Sequence, residues 1–155
     1  MNRVPLIDRS EAPAESKALL DAIQGAFGTT PNMFWTVANS PAALKSMWGA
    51  FSALGAGVIP AKLGEQIAVA VADRNACEYC LAAHTALGRN VGATAEEMQR
   101  AQVGEAADVA TQAALRFALK LVNDRGQVSD SDVQALRDAG FGDEAIVEIL
   151  AHVAL

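Results

Sequence analysis

The chain has 155 residues, the usual size of one domain, and a domain of that length buries roughly 70% of its unfolded surface without a disulfide scaffold. Its 12 Lys and Arg stand against 18 Asp and Glu, a net charge of −6 with no basic run, which excludes nucleic-acid binding through phosphate contacts and attraction to an anionic membrane surface. Hydrophobic residues make up 52% of the chain and aromatics 5%, much of the rest being alanine, and no apolar stretch is long enough to span a bilayer.

Met1–Ser10 reads as extended, and its charge and proline are not those of a signal peptide, so a soluble, cytoplasmic protein is expected. Pro13 suits the first turn of a helix running to about Phe27, with Leu19, Leu20, Ile23 and Phe27 on one stripe. After the turn Gly28–Asn32 comes a short apolar piece, Met33–Val37. Ser40 caps a helix that starts at Pro41, carries Leu44, Met47, Trp48, Phe51 and Leu54, and ends near Gly55 and Gly57. Its stripe reads as core, or as a subunit contact where exposed. Pro60 opens the next helix, which carries Glu65, Ile67, Ala68 and Val71 and stops around Asp73–Asn75. Asn75 with Glu78 reads as a capping-box variant that places Cys77 in the first turn of a new helix ending between Gly88 and Gly92. Thr94 with Glu97 is a second capping box, for a helix to about Gln102. A longer helix covers Ala106–Asn123, with Leu115, Ala118, Leu119 and Val122 inward. Ser129 with Asp132 opens a helix to Asp138, and the last helix carries Ile146, Ile149, Leu150 and Val153. That helix stops at Leu155 without a capping signal, so the chain is expected to have been cut there or to continue in the natural protein. The whole reads as one all-α domain, 1–155, a bundle of seven or so helices.

Both cysteines of the protein, and one of its two histidines, fall between Cys77 and His84, with Glu65 twelve residues ahead of Cys77. On a helix, Cys80 lies about 60° around from Cys77, and His84 about 40° from Cys80. The two thiols can bridge, and His84 stands one turn beyond Cys80. Thiolates are stabilised at a helix N-terminus and beside a base. If the two helices pair antiparallel around the Asp73–Asn75 corner, the Glu65 carboxylate reaches His84 and orients it, as the third member of a triad does. Only Cys80 has the histidine at helical contact distance, so Cys80 is assigned as the attacking thiolate and Cys77 as the resolving thiol. Tyr79 is a possible substrate hydrogen-bond donor or a packing residue. His152 reads as a packed or interface residue.

Competing readings are two buried core cysteines, and a zinc site built from Cys77, Cys80, His84 and Glu65. Structural zinc sites draw paired ligands from two separate places, and only one pair exists here. Covalent haem needs a histidine where Leu81 stands, and the thioredoxin fold needs a βαβ setting.

The pattern Glu65, eleven residues, Cys77-Glu-Tyr-Cys80, three residues, His84 resembles the signature of the alkylhydroperoxidase D-like proteins of the carboxymuconolactone decarboxylase superfamily. Pro60–Ile67 and the upstream Pro31-Asn-Met-Phe34 resemble its peroxidase-related members, and the likeness covers Pro31 to Glu97. It implies an all-α homo-oligomer, a trimer or a hexamer. It implies a thiol-dependent peroxidase or disulfide reductase without metal, haem or other bound cofactor, served by an external thiol or dithiol reductant or a redox partner protein. By position, Cys80 matches the peroxidatic cysteine, Cys77 the resolving one, His84 the nearby base and Glu65 the start of the proton relay. The best-described members carry histidine where this chain has Tyr79. Two other functions compete. One is a lyase acting on a muconolactone-type acid, although such decarboxylases lack the paired cysteines and the central stretch offers only Arg74 and Arg89 for a carboxylate. The other is a non-catalytic oligomeric or zinc-binding module.

Overall fold

Prolines and short polar side chains start the helices of this chain, and every regular element among the described residues is helical. The computed structural model describes residues 3–155. The helices are α1 (Ala14–Phe27), α2 (Asn32–Val37), α3 (Pro41–Gly55), α4 (Ala61–Arg74), α5 (Glu78–Asn90), α6 (Ala95–Gln102), α7 (Val109–Asn123), α8 (Asp130–Asp138) and α9 (Asp143–Ala154). Nine helices among the described residues replace the seven or so expected. One source of the difference is the apolar piece after Pro31, which closes into the short helix α2. Residues 3–10 carry no helix or strand, and the first two residues of the predicted extended segment lie outside the described ones.

The chain divides into two compact units, one ending at Ala53 and the other running from Leu54 to Leu155. In the first, α1 buries Leu20 and Ile23, α2 buries Phe34, and α3 buries Leu44. Phe34 is the hub of an aromatic cluster: its ring centroid lies 6.0 Å from Phe27, 6.2 Å from Trp48 and 6.0 Å from Phe51. Offset and edge-on pairs of this kind add to simple area burial. The stripe Met47, Trp48 and Phe51 thus packs on this core. The buried Ser16 hydroxyl donates to the Ala38 carbonyl at 2.9 Å, so its burial leaves no orphan group.

In the second unit, α4 packs against α5, α6, α7 and α9. A helix covered on several sides must be apolar nearly all round. Accordingly Leu63, Ile67, Val69, Ala70 and Ala72 are all buried. The first four meet Met98 of α6, Leu115 and Ala118 of α7 and Ile149 of α9 in one core. The two capping boxes expected at Thr94/Glu97 and Ser129/Asp132 are both closed. Glu97 also pairs with Lys62 of α4 at 2.6 Å, and the lysine together with the Thr94 N–H holds its carboxyl below the usual range. The predicted Ala106 start of α7 gives way to Asp108, whose carboxylate accepts the Thr111 N–H at 2.7 Å and so caps the helix. The inner stripe of α7 is as expected at Leu115, Ala118 and Leu119. On α9, Ile146 and Ile149 are buried, and Leu150 is 49% exposed. Ile146, Ile149 and Val153 follow the i, i+3, i+4 rule that defines the packed face, and Leu150 lies at its edge.

Candidate active site

The local fold that builds the site is the corner between α4 and α5. The Cys77 N–H bonds back to the Ala72 carbonyl at 2.9 Å and the Ala76 N–H to the Asp73 carbonyl at 3.0 Å, the double closure of a Schellman motif. That motif requires a left-handed residue, here Ala76 with φ 52°. The ends of α5, α6 and α8 use the same closure with glycine, at Gly92, Gly104 and Gly140. An alanine in this conformation costs roughly 1 kcal/mol, because its Cβ crowds the following carbonyl. Ala76 is exposed, so no packing is lost on trimming it. Ala76→Gly is therefore expected to stabilise the protein by about 0.5–1 kcal/mol, seen as a higher urea midpoint at unchanged slope.

The corner changes where α5 begins. The predicted cap at Asn75 is not formed: Asn75 belongs to the end of α4, and Cys77 is the N-cap of α5. The Cys77 sulfur accepts the Cys80 N–H at 3.3 Å. Cys77 and Cys80 are joined as a disulfide with their Cα atoms 5.3 Å apart, a normal separation for such a bridge. Both are half-buried, so the bridge is reachable from solvent.

The antiparallel pairing of α4 and α5 brings Glu65 to the expected partner. Its Oε2 lies 2.8 Å from His84 Nδ1. A carboxylate only accepts, so Nδ1 carries the proton and Nε2 is the nitrogen left for proton exchange. The pair is neither buried nor free in solvent: the side chains are 24% and 22% exposed. Close helix approach makes this contact possible. A Cβ on Gly88, one turn beyond His84, would stand 3.4 Å from Glu65 Cβ and would collide with the end of Met98. α5 ends at Asn90, between Gly88 and Gly92 as expected, and Gly88 itself is buried inside the helix. A glycine inside an amphipathic helix is itself the signal of such an approach. The structure thus assembles Glu65, Cys77, Cys80 and His84 along one helix pair. Tyr79, also on the first turn, is 52% exposed and faces outward from the core. Among the described residues no group of three or more His, Cys, Asp or Glu side chains is arranged to hold a metal ion.

The second histidine is packed, as its setting in the sequence suggests. The His152 ring lies over Gly64, with Cε1 3.1 Å from where a Cβ would be, and its Nε2 is buried without a hydrogen-bond partner. Burial pushes its pKa below the ordinary value, while the Glu148 and Glu65 carboxylates pull the other way. The neighbouring Glu148 carboxylate is occupied, accepting the Val58 and Ile59 N–H groups at 2.7 and 3.0 Å. The unfolded chain binds a proton on this histidine more readily than the folded one. Its contribution to stability is therefore complete above about pH 6.5 and shrinks as pH falls toward the folded pKa. In His152→Leu the loss of stability between about pH 6.5 and 5 should be smaller than in the parent, measured by urea midpoints. The carboxylates held low, such as Glu97 and Asp108, titrate below that window in both proteins.

An all-α fold with a dithiol at a helix start and a carboxylate–imidazole pair one turn on defines a class, and comparison agrees with it. The sequence profile of the carboxymuconolactone decarboxylase family matches residues 41–124, more than half of the 155. The chain belongs to that family. Among solved structures, it is similar to a peroxidase-related protein from Ralstonia eutropha JMP134 described as an alkylhydroperoxidase AhpD core. The two are 29% identical with a TM-score of 0.87, over 98% of this chain and 83% of that one. A peroxidase-related protein from Silicibacter sp. TM1040 is 25% identical with a TM-score of 0.85, over 99% and 82% of the two chains. The debrominase Bmp8, solved as a C82A variant with 2,3,4-tribromopyrrole, shares the fold with a TM-score of 0.82 at 22% identity, over 99% and 83%. No curated protein sequence matches the chain.

Proposed function

We propose that the protein is a dithiol peroxidase or disulfide reductase, with Cys80 as the attacking thiolate and Cys77 as the resolving thiol. The observation that carries this reading is the bridged Cys77–Cys80 pair at the start of α5, with the Glu65–His84 hydrogen bond one turn further on. In the reduced protein the Cys80 thiolate attacks the terminal oxygen of a hydroperoxide. His84 Nε2 has taken the Cys80 thiol proton; the S–O bond forms, the O–O bond breaks, and the leaving alkoxide takes that proton back from the imidazolium. Glu65 keeps Nδ1 protonated and faces the transient positive ring, so Nε2 does the exchange. Cys77 then displaces hydroxide from the sulfenic acid, giving the disulfide and water. An external dithiol returns both sulfurs to thiols and leaves oxidised. The helix dipole favours a thiolate at this end of α5, the first-turn Cys80 N–H is given to the Cys77 sulfur, and His84 one turn on is what singles out Cys80.

The test is a peroxide-consumption assay on the purified protein, with dihydrolipoamide, reduced thioredoxin and reduced glutathione offered separately. Turnover with at least one dithiol is expected. No consumption with any of them removes the reading. Offering 2,3,4-tribromopyrrole and a muconolactone in place of peroxide tests the reactions named for one structural neighbour and for the family. Turnover of the lactone by the Cys77→Ser, Cys80→Ser double variant would favour the lyase.

A further inference from the structure

His152 of α9 takes no part in the dithiol steps, yet it packs on the helix that carries Glu65. Its Nε2 is enclosed and has no hydrogen-bond partner, and no other side-chain nitrogen or oxygen among the described residues is enclosed in that way. An apolar side chain would serve a packing role better, because an unmet buried nitrogen costs free energy. The contact with α4 is close. A Cβ on the buried Gly64 would stand 3.1 Å from Cε1, 3.5 Å from Nδ1 and 3.8 Å from Nε2, so an alanine there would press on the ring. Gly64 immediately precedes Glu65, and successive helix residues point about 100° apart. The ring thus lies against the α4 backbone beside the residue that sends its carboxylate to His84.

Two carboxylates bear on the ring, Glu148 from its own helix and Glu65 from α4, and no other ionisable group among the described residues does. The two are not equivalent. Glu148, one turn before His152, is held by the Val58 and Ile59 N–H groups, where a Cβ on Gly57 would collide with its carboxylate. Glu65 is bonded to the site histidine at 2.8 Å. Burial holds the His152 pKa below its ordinary value, so the ring is neutral near pH 7 and charges only in mild acid, below about pH 6.5. A neutral ring leaves the Glu65 charge wholly to His84. A protonated ring draws on the same charge, so the carboxylate supports the His84 imidazolium less and the Cys80 thiolate forms less readily. We propose that His152 is a positioning residue that acts on Cys80 through Glu65 and His84, a proton-operated brake that slows the dithiol site in mild acid. The proton comes from solvent and returns to it as pH rises. The proposal rests on the reading of Cys80 and His84 as thiolate and base, but not on the identity of the oxidant.

The chain has two histidines, so side-chain ¹H–¹⁵N spectra of the reduced protein follow each ring, and His152→Gln identifies which is which. Glu65→Gln should move the His152 midpoint down by about half a pH unit, the scale of one partly screened carboxylate. Glu148→Gln should move it further in the same direction. Cys80 alkylation by iodoacetamide, located by peptide mass, is then measured at pH 7.5 and 5.5. The ratio of the two rates should be about twofold smaller in His152→Gln than in the parent, because the coupling between ring and carboxylate is reciprocal. In the Glu65→Gln background the same substitution should change nothing further. A His152 midpoint unmoved by Glu65→Gln would overturn the proposal by uncoupling the ring from the site. So would a rate ratio equal to the parent's in His152→Gln, the result of a role in packing alone, whatever its stability. A protein that shows the coupling and consumes no peroxide would remove the peroxidase reading and leave the brake standing.

Discussion

Cys80→Ser is expected to consume no hydroperoxide, its rate falling at least about 10³-fold, because the attacking atom itself is gone. Cys77→Ser should behave differently. It should still reduce the first equivalent of peroxide and then stop, holding Cys80 as a sulfenic acid with no partner to condense with. The asymmetry follows from geometry. Cys80 sits within the first turn of α5 and one turn from His84, whereas Cys77 is the cap outside the helix, its sulfur turned to the Cys80 N–H. Stopped-flow peroxide consumption with a sulfenic-acid trap distinguishes the two. The reverse pattern, with Cys77→Ser inert and Cys80→Ser competent for one turnover, would exchange the assignments.

His84→Ala carries the second large effect. In the reduced protein, alkylation of Cys80 near neutral pH should slow by about 10²-fold, the usual scale for a positioned base. Glu65→Gln should slow it by about tenfold, since the amide can still touch the ring but cannot fix its tautomer or face its charge. The pH profile separates chemistry from mere structure. With iodoacetamide, the rates of all three proteins should converge well above the thiol pKa, where every sulfur is already ionised. Equal rates at neutral pH in parent and His84→Ala would remove the histidine from the account. Rates that stay apart at high pH would mean a misfolded corner.

The dithiol was legible because the spacing from Cys77 to His84 is meaningful only on a helix. The partner carboxylate was legible because an antiparallel return around the Asp73–Asn75 corner brings Glu65 to His84, 2.8 Å away. The Thr94 and Ser129 caps were equally readable, since each pairs with an acid three residues on. The start of α5 was not. Asn75 looks like a cap, but the corner is closed by a left-handed alanine, and no glycine advertises it. The end of α5 between Gly88 and Gly92 was legible, but the service of Gly88 to helix approach was not, since sequence alone does not say which helix approaches. Leu150 shows the limit of periodicity, because an apolar residue at the edge of a stripe goes inward or outward according to what its neighbours cover. The burial of Gln66 had no signal at all, being set by α6 and α7 folding over a polar position of α4.

A count of free thiols in the reduced protein, before and after one equivalent of hydroperoxide, bears most directly on the chemistry assigned to the α4–α5 corner. Both thiols of each chain should disappear together, with one equivalent of alcohol formed and full recovery on adding a dithiol. Two thiols still titratable beside unconsumed peroxide, or a single thiol lost beyond recovery, would contradict it.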